Sequence, residues 1–208
     1  MTSDGPLGRR DRKKRQTRAA LSAAALRLVA ERGLDQVTVE EISEAADVSS
    51  RTFFNYFAAK DEALVGDSEG DRERVLRALA DVPAQVPALR AIRLALTEVI
   101  EDVEGEAELW LLRMRVVMQH PVLLARLVSG NAATEQALVA AVAARTGLPP
   151  EDTYPALVTA VTGAALRIAM VRWAHSGGAR PLPDLVDEAF AAVAAGLPDP
   201  RHPEPHQR

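Results

Sequence analysis

The 208-residue sequence predicts an all-α fold of about nine helices. Three observations carry that prediction. Apolar residues recur every three or four positions through most of the chain, the period of one buried helix face. Strand signals are weak, since aromatic residues are only 4% and alternating runs are scarce. Glycine and proline mark the breaks between periodic stretches, with no repeat period that would suggest a solenoid.

The elements follow in order. Leu21, Ala25 and Leu28, with Ala24 and Val29 beside them, predict a helix from about Gln16 to Arg32, stopped by Gly33. Thr38-Val39-Glu40-Glu41 reads as a capping box: the threonine hydroxyl accepts an orphan N–H while Glu41 reaches back to the cap residue. A short helix then runs to about Ala46. After Asp47-Val48-Ser49 a third follows to about Phe57, and a fourth is expected from Ala59 or Lys60 towards Ala80. Pro83 and Pro87 form the clearest break. Beyond them helices are expected at roughly 88–104, 106–119, 121–145, 152–175 and 183–195, separated by Gly105, Pro121, Gly147 to Pro150, and Gly177 to Pro183. The polar, proline-rich residues 198–208 read as a disordered tail and the basic residues 1–15 as a flexible arm.

Composition excludes several classes. Hydrophobic residues at 48% and charged ones at 26% describe an ordinary globular protein. The absence of cysteine removes disulfides and thiolate metal sites, and no histidine spacing suits a metal, so no metal or cofactor is expected. No apolar leader and no unbroken apolar run of about 18 residues is present, which predicts a cytoplasmic protein with no membrane span. There is no phosphate loop, nucleophile elbow or other catalytic constellation, so the chain is not read as an enzyme. The net charge of −4 is uneven. Residues 1–60 carry 11 Lys/Arg against 8 Asp/Glu, and the remainder 14 against 21. A basic end on an acidic body points to a polyanion met by the first part alone.

The stretch TVEEISEAADVSSRTFFNYFAAK, Thr38 to Lys60, has the spacing of a helix-turn-helix. Ile42, Ala46, Val48, Phe53 and Tyr56 can face inward and lock two helices across a short turn. Ser49-Ser50-Arg51-Thr52 then projects outward at a helix N-terminus, whose free N–H groups suit phosphate. Arg51 offers a fork for guanine, and Asn55, one turn on, can pair with adenine. The arm Arg9 to Arg18, with seven basic residues and one acid, would add phosphate or minor-groove contacts.

With its continuation Asp61 to Leu64, this stretch resembles the DNA-binding signature of the TetR family of transcriptional regulators. The detailed likeness covers about residues 15–65. It implies a DNA-binding domain at 16–60 and a helical ligand-binding and dimerisation domain at 61–197. It implies phosphate contacts from Thr38, Thr52, Tyr56 and Lys60, and groove contacts from Ser50, Arg51 and Asn55, with Ser49 capping the recognition helix. Three positions depart from the family pattern. Asp47 stands where glycine is usual, Ser43 where alanine is, and Phe54 where tyrosine is common. The Phe54 ring can still pack on a sugar or a thymine methyl.

One half-site is too short to address a genome, so a homodimer is expected on double-stranded DNA. Its face would be drawn from the last long helices: Leu157, Val161, Ala164, Ala165 and Ile168, with Leu185, Val186, Ala189 and Val193. The resemblance implies that these form a four-helix bundle with their twofold copies. For an effector, Trp110, Met114, Met118, Tyr154, Met170 and Trp173 are candidate apolar contacts, with Arg113, Gln119 and Arg167 as polar anchors. They favour an apolar or amphipathic small molecule. The expected function is a ligand-responsive repressor on a palindromic operator. The alternatives are a constitutive regulator or activator, and a helical interaction dimer with a vestigial helix-turn-helix.

Overall fold

The computed structural model describes residues 9–177 and 179–197; the expected tail at 198–208 and the first eight residues of the arm lie outside them. Among the described residues the chain is helical and without strands. It divides into two compact units, one of residues up to Asp71 with Glu106–Thr134, the other of Arg72–Gly105 with Glu135 onward.

In the first unit, helix α1 (Arg9–Arg32) is followed by a single 3-10 turn (Leu34–Gln36) and two short helices, α2 (Val39–Ala45) and α3 (Ser50–Phe54). Helix α1 starts at Arg9, earlier than expected, so the described part of the basic arm is helix. The physical reason is local: Arg, Lys and Gln are good helix formers, and no breaker separates residue 9 from Gly33. Gly33 does end α1, at φ 88, where a side chain would be strained. The expected long fourth helix is two. Helix α4 (Lys60–Val65) stops at Gly66, φ 103, and α5 (Ser68–Asp81) restarts after it. Asp67 aids the restart by accepting from the Gly70 N–H at 3.1 Å.

Two further helices, α6 (Ala88–Ala95) and α7 (Thr97–Gly105), replace one expected at 88–104; Leu96 alone separates them. Helices α8 (Ala107–Gln119), α9 (Pro121–Thr146), α10 (Thr153–His175) and α11 (Leu182–Ala194) complete the chain. The first unit's core gathers Leu21, Ala25, Leu26, Val29, Ile42, Phe53, Phe57 and Leu64 with Val116, Val117 and Leu123 of α8 and α9. Helices α1 to α4 therefore share one apolar interior with α8 and the start of α9.

The second unit is built on α10 and α11, which pack along one another. Trp173, Ala165, Ala169, Leu182, Leu185, Val186 and Phe190 are buried there. Arg93 on α6 meets Asp187 on α11 at 2.6 Å, and Glu188 is shared by Arg172 and Arg180. Those two guanidiniums hold the Glu188 carboxyl below the ordinary carboxylate range. Arg145 binds the carbonyls of Val82, Pro83 and Val86 in the proline-marked break, tying α9 to the end of α5. Helix α10 is, by length and composition, apolar enough to cross a membrane, although Arg167 and Arg172 interrupt its apolar run. One face of it is nonetheless sealed by α11 within the unit.

Candidate nucleic-acid interface

The helix-turn-helix is assembled from local chemistry. The Thr38 hydroxyl accepts from the Glu41 N–H at 3.2 Å, and the Glu41 carboxylate accepts from the Thr38 N–H at 2.9 Å. The Thr38 N–H foremost, with the Thr38 hydroxyl donating to the same carboxylate at 3.1 Å, lowers the Glu41 pKa from its ordinary 4.5, and the neighbouring Arg32 cation helps. Ser43 is buried but satisfied, donating to the Val39 carbonyl at 2.7 Å. The turn hinges on Asp47, at φ 54 in the left-handed region, and the Val48 N–H closes it on the Ser43 carbonyl at 2.9 Å. Ser49 then caps α3 by accepting from the Thr52 N–H at 3.1 Å, with the two hydroxyls 2.9 Å apart.

Five residues cannot hold a helix by propensity, so α3 relies on anchorage. Phe53 is fully buried and Phe57 nearly so, their rings 5.4 Å apart. With those rings inside, the opposite face points out. Arg51, Phe54 and Asn55 are all exposed and stand at i, i+3 and i+4, one surface of α3. Phe54 is 57% exposed and meets Phe53 edge-on at 5.5 Å. Ser50, Thr52 and Tyr56 are half-buried at the margins of that surface.

Two of the basic residues read as DNA contacts are engaged by the protein itself. Lys60 donates to the carbonyls of Leu34 and Val37, at 2.5 and 2.8 Å. Arg18 donates to the Tyr56 carbonyl at 2.7 Å and lies 3.1 Å from Asp67. Arg18 is the residue that sequence reasoning misplaced. No local signal separates it from the arm; only its i, i+4 relation to the buried Ser22 hints that it faces inward. Lys13 and Lys14 remain exposed. Beside the α3 N-terminus lies an open depression bordered by Glu40, Glu44 and Asp47 with Ser43, Val48, Ser49 and Ser50. Its acidic rim opposes phosphate at that edge.

The residues proposed for an effector fall in both units. On α8, Trp110, Arg113 and Met114 are half-buried, whereas Met118 and Gln119 are exposed. On α10, Tyr154 and Arg167 are exposed, Met170 is half-buried and Trp173 is core. Arg113 is distinctive. Its Nε is buried without a hydrogen-bond partner among the described residues. Burial lowers its pKa, partly offset by the charges of Glu106 and Asp71.

The dimer candidates separate by burial. Ala165, Leu185 and Val186 are at most 2% exposed within a single chain, so no partner can reach them. The expectation fails there because α11 turns its apolar stripe onto α10. Leu157 and Ile168 are instead 56% and 55% exposed, with Val161 and Ala164 half-buried between them. Ala189 and Val193 are also half-buried. The sequence reading missed Val171, which extends the exposed apolar face of α10.

Comparison with known proteins agrees with this geometry. The family description "Bacterial regulatory proteins, tetR family" matches residues 21–65, and "MftR C-terminal domain" matches residues 86–198. The chain is 36% identical over 179 residues to the HTH-type transcriptional regulator TcmR of Streptomyces glaucescens, covering 83% of this chain and 79% of that one. It is 30% identical over 198 residues to MftR of Mycobacterium tuberculosis, named for the regulation of mycofactocin biosynthesis, covering 95% and 98%. Among solved structures, the TetR-family repressor FadR of Thermus thermophilus, in complex with lauroyl-CoA, shares the fold with a TM-score of 0.51 at 24% identity, covering 91% and 100%. A regulator's reading head, two relatives named as regulators and matches along both parts of the sequence lead to one assignment: the chain belongs to the TetR family of DNA-binding transcriptional regulators, which are not enzymes.

Proposed function

We propose that this chain is a cytoplasmic, ligand-responsive repressor that binds a palindromic operator as a homodimer. Residues 16–60 would read DNA, and 61–197 would hold the effector and the dimer face. The observation that carries the reading is the outward surface of α3, where Arg51, Phe54 and Asn55 stand together on a helix fixed from behind by Phe53 and Phe57. An exposed phenylalanine between a guanidinium and an amide suits the major groove, where purine edges and thymine methyls are read side by side. Thr38, Thr52 and Tyr56 would meet phosphates and Ser50 the groove, with Ser49 capping the helix and Lys60 setting the start of α4.

Dimerisation is supported by α10. Tyr154, Leu157, Val161, Ala164, Ile168 and Val171 follow alternating steps of three and four, a heptad seam, and none of them is buried in the single chain. Paired with its twofold copy, that seam would remove the largest side chains of an otherwise uncovered stripe from water. A twofold axis sets recognition helices about 34–36 Å apart on successive turns of DNA.

An effector role is supported by Arg113, a desolvated cation with an unmatched donor. An anionic amphipathic molecule would answer both features. FadR of Thermus thermophilus holds lauroyl-CoA, so acyl-CoA thioesters are the first probes. The test is selection of duplexes from a random-sequence library by the purified chain, followed by binding titrations with and without lauroyl-CoA. Enrichment of an inverted repeat, bound by two chains and released by the thioester, is the expected result. Enrichment without release would favour a constitutive regulator, and no enrichment would sink the DNA-reading assignment.

A further inference from the structure

We propose that Arg18 is a positioning residue for DNA recognition, a latch that sets the recognition helix against the junction of α4 and α5; this rests on the DNA-reading function above. The sequence places Arg18 in the basic arm, where a phosphate contact is the natural expectation. The structure turns it inward. Its Nη1 donates to the Tyr56 carbonyl at 2.7 Å, its Nε lies 3.1 Å from Asp67, and its Nη2 lies 3.8 Å from Glu62. The guanidinium carbon sits 4.4 Å from the centre of the Phe57 ring. Only 22% of the side chain is exposed.

These contacts fall on three segments. Helix α3 ends at Phe54, so the carbonyls just beyond it lack helical partners. A cation there answers the negative end of the helix. Glu62 lies in α4, and Asp67 in the two-residue link where Gly66 turns the chain at φ 103. One turn along α1, the Ser22 hydroxyl donates to the Ala63 carbonyl at 2.8 Å, so the same face of α1 also seats α4. A planar fork of fixed geometry can serve three acceptors and a ring together, and a lysine cannot. Any displacement of the link at 66–67 therefore reaches the exit of the recognition helix through a single side chain. The exposed Lys13 and Lys14 are left for phosphate.

The salt dependence of DNA binding separates a latch from a phosphate contact. The probes are a duplex selected by the wild-type chain from a random library and a random duplex of equal length. For Arg18→Gln we expect about tenfold weaker binding to the selected duplex, with the slope of log K against log salt unchanged. A phosphate-contacting arginine would lower that slope by about 0.9. Asp67→Asn keeps an acceptor for Gly70 but loses the charge facing Arg18. It makes the protein less acidic, which alone would tighten binding; the latch requires weaker binding instead. Arg18→Lys should recover part of the loss. Independently of DNA, backbone hydrogen exchange at residues 54–59 should quicken at least fivefold in Arg18→Gln while α2 is unchanged. A slope reduced by one charge, tighter binding by Asp67→Asn, or unaltered exchange at 54–59 would each overturn the proposal. Should the wild type select no duplex, the DNA-reading assignment falls, and hydrogen exchange alone decides the latch.

Discussion

Replacing Asp47 by glycine should make the protein both more stable and a better DNA binder. Asp47 holds the helix-turn-helix turn at φ 54, where an L-residue's Cβ crowds its own carbonyl. That conformation costs roughly 1–2 kcal/mol for an ordinary residue, and less for aspartate, whose side chain can bond locally. Glycine removes the crowding but loses more chain entropy on folding, about 0.5–1 kcal/mol. The difference leaves a net gain of about 0.5 kcal/mol. Alanine keeps the crowding without the tolerance of the left-handed region that aspartate has, so Asp47→Ala should be destabilising by a similar amount.

Urea unfolding at fixed protein concentration measures this. With a slope near 2 kcal/mol per molar, the midpoint of Asp47→Gly should rise by about 0.25 M and that of Asp47→Ala fall. The order glycine, aspartate, alanine is the signature of a backbone effect. The DNA arm is electrostatic. Asp47 borders the depression with Glu40 and Glu44, beside the α3 N-terminus, so both neutral variants should bind DNA more tightly at low salt, the gain fading as salt rises. Alanine as stable as glycine would refute the backbone argument. Unchanged affinity in both variants would show that this acidic edge stays away from DNA.

The remaining outcomes concern the reading face, the dimer and the cap. Arg51→Ala should cost about 1–3 kcal/mol of operator binding and relax the preference at one base position of each half-site, as scored by single-substitution duplexes. Ile168→Asp should weaken self-association at least about a hundredfold by light scattering while the single chain stays folded, because Ile168 is exposed. Leu185→Asp should instead abolish the cooperative fold by circular dichroism, because Leu185 is core. Glu41 has a pKa lowered below 4.5 in the fold, chiefly by the Thr38 backbone bond. Its stabilisation is thus full above the unfolded value and lost as pH falls through the folded one. Acid titration of wild type should lose more stability over roughly pH 5 to 3 than Glu41→Gln, which keeps the cap without titrating.

Much of the reading head was legible because its determinants are neighbours in sequence. The capping box spans Thr38 to Glu41, the α3 cap Ser49 to Thr52, and the buried rings Phe53 and Phe57 stand one helical turn apart. Such bonds close within a few residues, so spacing is nearly sufficient to infer them. The break at Gly66 was also local, a glycine overlooked within an apolar pattern that continues on both sides. The start of α1 differs from the expected one for the opposite reason: a run of charges reads as an arm although most of its residues, the Arg, Lys and Gln, favour helix.

Other outcomes depended on what packs against what. Helix α10 is apolar nearly all round, so periodicity marks no single buried face. Only the docking of α11 decided that Ala165 is interior and that Leu157, Ile168 and Val171 are not. The same docking claimed Leu185 and Val186 for the monomer's own core. Among the cations, sequence shows a charge but not its direction. Arg18 and Lys60 turned inward because carbonyls distant in sequence, at Tyr56, Leu34 and Val37, were left without helical partners and offered acceptors. The sequence alone thus determined the family, the all-α class and the reading head, whose interactions are short in range. The tertiary structure decided which apolar stripe stays uncovered in the single chain and which positive charges stay exposed, because burial and long-range hydrogen bonds exist only once distant segments meet.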